Sequence, residues 1–253
     1  MPLRRKRIVA SLATGAEGRL VEGSEFGPLE QPDDPLEAAV ALAGGGADEL
    51  LLISLGTSVD ALAALSKRIA LAVSIPLVVK VEPATVVEAS QLFDAGAARV
   101  AVQAAALRDP NLIASLTRTF GSEALAVAMT AGGEDEDWRV FLSHHGDASE
   151  WDAVTWARVA EAQGAGELIV ESRSGGRHGG PFDLELLAAV SAAVARPVVA
   201  SGDPREIEDL FDALMIGNAD AVVVGSLVRS GRRTVREVKV FLAEHGLPLQ
   251  LDP

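Results

Sequence analysis

Gly46-Ala-Asp-Glu-Leu50-Leu-Leu-Ile-Ser54 returns later in the chain as Gly164-Ala-Gly-Glu-Leu168-Ile-Val-Glu-Ser172. Each copy leads from a Gly-Ala turn through an acidic residue into an unbroken aliphatic run. Such a run reads as a parallel strand covered on both faces. The echo continues: Pro76 is matched by Pro197, and Gly96-Ala-Ala by Gly217-Asn-Ala. Several elements repeated in one order predict two versions of one half-structure.

Outward from that repeat, strand-like runs recur at Arg7–Ala13, Leu50–Leu55, Leu77–Val81, Val100–Ala104, Leu125–Thr130, Leu168–Glu171, Pro197–Ser201 and Ala221–Gly225. Amphipathic segments separate them: Pro35–Ala43, Val59–Ala72, Ala84–Ala95, Asn111–Phe120, Trp151–Ala162, Leu184–Ala195, Arg205–Ile216 and Thr234–His245. Eight strand-then-helix units predict a (β/α)8 TIM barrel with two-fold half-barrel symmetry, one domain over residues 1–253. An open doubly wound sheet is the competing topology, disfavoured because no long linker interrupts the units. Long connections follow the first, fifth and sixth strands, on the face where such barrels carry their sites.

Composition narrows the function. The 253 residues include no Cys, so a disulfide framework, a thiolate nucleophile and a Cys metal site are excluded. A net charge of −14 disfavours nucleic acid as a partner. No secretory or membrane-spanning stretch is apparent, which predicts a cytoplasmic protein with no membrane partner. Dinucleotide, Walker and Ser-His-Asp signatures are missing, and no cofactor is expected.

The strand Pro76-Leu-Val-Val-Lys80-Val-Glu82-Pro83 ends by placing a cation and a carboxylate on one face, because side chains two apart on a strand share a side. Burying either ion unpaired is expensive, so the pair is matched, chemically active or on the wet rim.

Taken together, these stretches resemble the cyclase subunit family of imidazole glycerol phosphate synthase, a histidine-biosynthesis barrel. Further likeness lies in Glu17-Gly-Arg-Leu-Val-Glu-Gly23, Asp109-Pro-Asn-Leu-Ile113, Thr119-Phe-Gly-Ser122, Ala200-Ser-Gly202 and Glu244-His-Gly246. The resemblance implies two catalytic aspartates ending strands one and five. The matching residues here are Ala13 and Thr130, which do not exchange protons near neutral pH. Ser54 stands for a further aspartate, Lys80-Val81-Glu82 for a phosphate-binding glycine triplet, and Gln103-Ala104 for an Asn-Thr pair. The expectation is that the family's ring closure is lost.

Some of the implied anion site survives in Ser201-Gly202 and Gly225-Ser226, with Asp203 intruding as a negative charge. Arg173, Arg177 and Gln103 are candidate contacts for a small anionic metabolite, phosphorylated or not; a solvated Gly-rich loop is the plainer reading of Ser174–Gly180. The resemblance also implies a charged layer at the barrel bottom facing a glutaminase partner, here Arg7, Glu49, Arg99 and Glu167, with Ala98 replacing an interface aspartate. A salt-bridged plug is the simpler reading.

Lys80, Glu171 and Glu82 are the titratable residues expected at the mouth. A lysine in an apolar mouth is a Schiff-base nucleophile toward carbonyls, with a carboxylate moving protons, which predicts lyase-type chemistry. The alternatives are a buried ion pair, a ligand-binding or partner subunit without catalysis, and an engineered scaffold. His144, His145 and Asp147 read as exposed loop residues with no metal site, His178 as a loop residue able to reach the mouth, and His245 as a helix end.

Overall fold

A computed structural model describes residues 5–16, 18–21, 34–81, 85–133, 137–143, 146–173 and 180–251. In chain order the elements are β1 (Arg7–Gly15), β2 (Leu20–Val21), α1 (Pro35–Gly44), β3 (Glu49–Leu55), α2 (Val59–Ala72), β4 (Leu77–Lys80), α3 (Val86–Asp94), β5 (Arg99–Val102), α4 (Ala104–Arg108) and α5 (Asn111–Phe120). They continue with β6 (Leu125–Gly132), β7 (Arg139–Phe141), β8 (Ala148–Asp152), α6 (Ala153–Ala162), β9 (Glu167–Ser172), α7 (Leu184–Ala193), β10 (Val198–Ser201), α8 (Ile207–Met215), β11 (Ala221–Val224), α9 (Ser226–Arg229) and α10 (Val235–Glu244).

The hydrogen-bonded strand order is β5-β4-β3-β1-β11-β10-β9-β6, and β5 also pairs with β6. This is the closed, eight-stranded (β/α)8 barrel expected from the repeat. Parallel registers such as Ser11↔Leu51 and Val170↔Ala200 set neighbouring strands side by side. Every residue of β6 and β11 is buried, as strands with both faces covered require.

The chain divides into two compact units. One comprises Met1–Val81, Val87–Val100 and Val223–Pro253, with a core of residues such as Ile8, Leu12, Leu50, Val79 and Leu242. The other comprises Glu82–Val86 and Ala101–Val222, its core including Met129, Trp156, Leu168, Val170 and Leu210.

Local chemistry explains where helices begin. Asp34 accepts from Leu36 N ahead of Pro35, and Asp183 accepts from Leu186 N. Thr234 and Glu237 form a reciprocal capping box on α10. Each satisfies amides that a helix leaves unpaired. Asp48 does a different job: its Oδ2 accepts from Ile8 N at 2.7 Å, while Oδ1 accepts from the buried Lys239 at 2.9 Å. One carboxylate thereby fixes the entrance of β1 to α10.

Several boundaries differ from the sequence expectation. Val81 lies beyond β4, Ala104 opens α4 instead of ending a strand, and Trp151 belongs to β8. The expected loop after the fifth barrel strand contains an antiparallel extension, Thr130↔Phe141 and Gly132↔Arg139, continued by β8. Three-residue strands such as β7 are too short for periodicity to reveal.

Candidate functional site

The second unit carries a hydrogen-bonded chain at the ends of its strands. Gln103 Nε2 donates to Thr130 Oγ1 at 3.0 Å, and the Thr130 hydroxyl donates to Glu171 Oε2 at 2.9 Å. Gln103 is almost wholly buried, Thr130 fully so, and Glu171 half-buried. The parallel register Thr130↔Glu171 between β6 and β9 makes this bond.

Arg173 follows β9, and its amide donates to Ala131 O. Its guanidinium lies over the Phe141 ring, 3.8 Å from the centroid, a cation–π contact on the β7 extension. The same extension is anchored by Trp138, whose Nε1 donates to Asp183 Oδ2 at 3.0 Å. Asp183 also receives the Leu186 amide on Oδ1, and its own amide donates to Ser172 Oγ. Periodicity did not single out Trp138 or Asp183; the signal available was a buried-type indole opposite a helix-capping aspartate.

Ser201 and Gly202 are half-buried at the end of β10. A Cβ on Gly202 would collide with Pro181 O and the Phe182 ring, so close packing already demands glycine there. Asp203 beside it is exposed.

In the first unit, Lys80 closes β4, half-buried and in register with Ile53. Ala13 is half-buried on β1, and Ser54 Oγ donates to Thr57 O at 3.1 Å. Gly225 is buried ahead of α9, and a Cβ there would stand 2.8 Å from Ser11 Oγ. Ser226 begins α9. Three residues of the expected charged layer meet: Arg7 pairs with Glu49 Oε1, and Arg99 Nη1 lies 3.6 Å from Glu49 Oε2. Glu167 is buried in the other unit.

Glu82, Arg177, His178, His144 and His145 lie outside the described residues. Among the described residues, no group of three or more His, Asp or Glu is arranged to hold a metal ion. No described helix is long and apolar enough to cross a membrane.

Comparison with known proteins places this geometry in a lineage. The sequence profile described as histidine biosynthesis protein matches residues 9–234. The chain is 35% identical over 250 residues to the imidazole glycerol phosphate synthase subunit HisF of Dehalococcoides mccartyi strain BAV1, covering 98% of each chain. It is 34% identical to the same subunit from strain 195 of that organism, again over 98% of both chains. A barrel of eight parallel strands, matched along nearly its whole length, belongs to the histidine biosynthesis protein family.

Proposed function

We propose that this chain is a divergent HisF-like barrel that no longer performs the family's ring closure. In its place it acts on a small anionic carbonyl compound by Schiff-base, lyase-type chemistry. Lys80 is the nucleophile, and Glu171 is the carboxylate that moves protons, with Glu82 as a second candidate. Gln103, Ser201, Gly202, Gly225, Ser226, Arg173 and Arg177 are the proposed contacts for substrate and its anionic group.

The observation that carries the reading is the Gln103–Thr130–Glu171 chain. At position 130 it puts a hydroxyl, which exchanges no proton near neutral pH. At position 171 it sets a carboxylate, the group a general base needs, by a hydrogen bond from that hydroxyl. The amine of Lys80 adds to the carbonyl carbon; the carbonyl oxygen takes one proton from that nitrogen and a second from solvent by way of Glu171, and leaves as water. The iminium then accepts the electron pair of the bond between the α and β carbons as it breaks. Glu171 takes the β-hydroxyl proton, the β carbon departs as a carbonyl product, and protonation and hydrolysis of the remaining enamine free Lys80.

Borohydride trapping with a panel of aldehydes and ketones tests this. The expected result is one reduced adduct on the peptide containing Lys80, absent in Lys80→Met. No adduct with any carbonyl would remove the proposal. A second reading, a partner subunit without chemistry of its own, is favoured by the relatives' description as synthase subunits. Capture of a glutaminase subunit by a protein that gives no adduct would select it.

A further inference from the structure

A cavity of about 250 Å³ opens in the first unit, away from the residues discussed above, between α1, the end of α9 and the start of α10. Its apolar wall is made by Leu20, Ala38, Leu42, Val228 and Val235, and Arg229, Arg233 and Thr234 also line it. By liquid volume the space equals roughly eight waters, enough for a short alkyl chain or one ring. Yet most of its wall offers water nothing to bond, which favours an apolar occupant.

Charge is the second observation. The protein carries 36 acidic residues against 22 basic ones. No acidic residue lines this cavity among the described residues, while two arginines do. They belong to a run, Arg229-Ser-Gly-Arg232-Arg233-Thr-Val-Arg236, holding four arginines and no acid. Arg232, Arg233 and Arg236 are exposed, and among the described residues none makes a salt bridge. The nearest acid in sequence, Glu237, is already engaged, accepting from Thr234 N at 2.6 Å and Thr234 Oγ1 at 3.0 Å. Arg229 is held in place by a bond from Nη1 to Val21 O at 3.3 Å.

We propose that this cavity binds a small amphiphilic anion, its apolar body against Leu42 and Val235 and its phosphate or carboxylate at Arg229 and Arg233. An apolar slot bordered by one held arginine and a second, exposed one matches that ligand at both ends. The site is independent of Lys80 and its chemistry.

The probe is octyl phosphate, measured by titration calorimetry on the full chain. One molecule should bind per chain, at least tenfold tighter than inorganic phosphate or octanol, because each of those meets only half of the site. Ala41 lines the cavity on the exposed side of α1, so Ala41→Leu fills the slot without touching the core. It should weaken octyl phosphate at least tenfold and leave the melting temperature unchanged. Arg233→Gln should do the same by removing an exposed charge. Equal binding of inorganic phosphate, or indifference to both substitutions, overturns the proposal. A further arm separates sources of such a molecule. Sedimentation with vesicles containing phosphatidic acid that Ala41→Leu abolishes would assign the alkyl phosphate to a lipid. Binding of octyl phosphate without sedimentation assigns it to a soluble anion.

Discussion

Thr130 and Glu171, aligned in the register of β6 and β9, share a hydrogen bond of 2.9 Å that ties a fully buried hydroxyl to a carboxylate. Thr130→Val should therefore lower stability by about 1–3 kcal/mol, since it removes a partner from both Gln103 and Glu171. Urea unfolding with an unchanged m-value would show that stability alone has moved.

Thr130→Asp tests the same contact through pH. Two carboxylates this close resist simultaneous ionisation, so one is pushed above its ordinary value. A folded carboxyl titrating above its unfolded counterpart contributes fully at acid pH. That contribution is lost as pH rises through the folded value. The variant should lose stability relative to the parent as pH rises from the ordinary carboxylate range toward that raised value. A pH-independent difference in melting temperature would contradict this.

Glu171→Gln keeps an acceptor for Thr130 but removes the base. On the proposed chemistry it should slow borohydride-trapped adduct formation at Lys80 by about 100-fold or more at neutral pH, with little change in melting temperature. Trapping at the parental rate would release Glu171 from that role.

Lys239→Met removes a buried partner of Asp48, which keeps Arg5 and the Ile8 amide. The loss should be about 2 kcal/mol, less than the ~3–5 kcal/mol of a fully orphaned buried charge. Asp48→Ala, which strips all three contacts, should be the more damaging in denaturant unfolding.

Glu237 titrates below its ordinary value, chiefly because the Thr234 amide donates to its carboxylate, with the Thr234 hydroxyl and Arg233 adding to the effect. A depressed acid contributes above its unfolded value, and the contribution is lost as pH falls through the folded one. NMR titration should return Glu237 toward its ordinary value in Thr234→Ala.

The barrel was legible because burial repeats. Leu50-Leu-Leu-Ile and Leu168-Ile-Val each carry enough aliphatic surface to declare a covered strand, and helices such as Val59–Ala72 and Asn111–Phe120 match their expected bounds. The strand holding Lys80 was legible from its apolar run, though it ends at Lys80, one residue before the expected Val81.

Pairings across the chain were another matter. Thr130 reads in sequence only as a residue that cannot titrate; that it bonds Glu171, 41 residues on, depends on strand register. Asp48 meeting Lys239, 191 residues away, depends on where α10 docks. The arginine run from Arg229 acquires its apolar slot only where residues of α1, the end of α9 and the start of α10 line one cavity. The repeat in the sequence determined the eight barrel strands and the longer helices between them, because their burial patterns are written locally. Only the tertiary structure decided which polar groups share a contact, because that depends on register and docking between segments far apart in the chain.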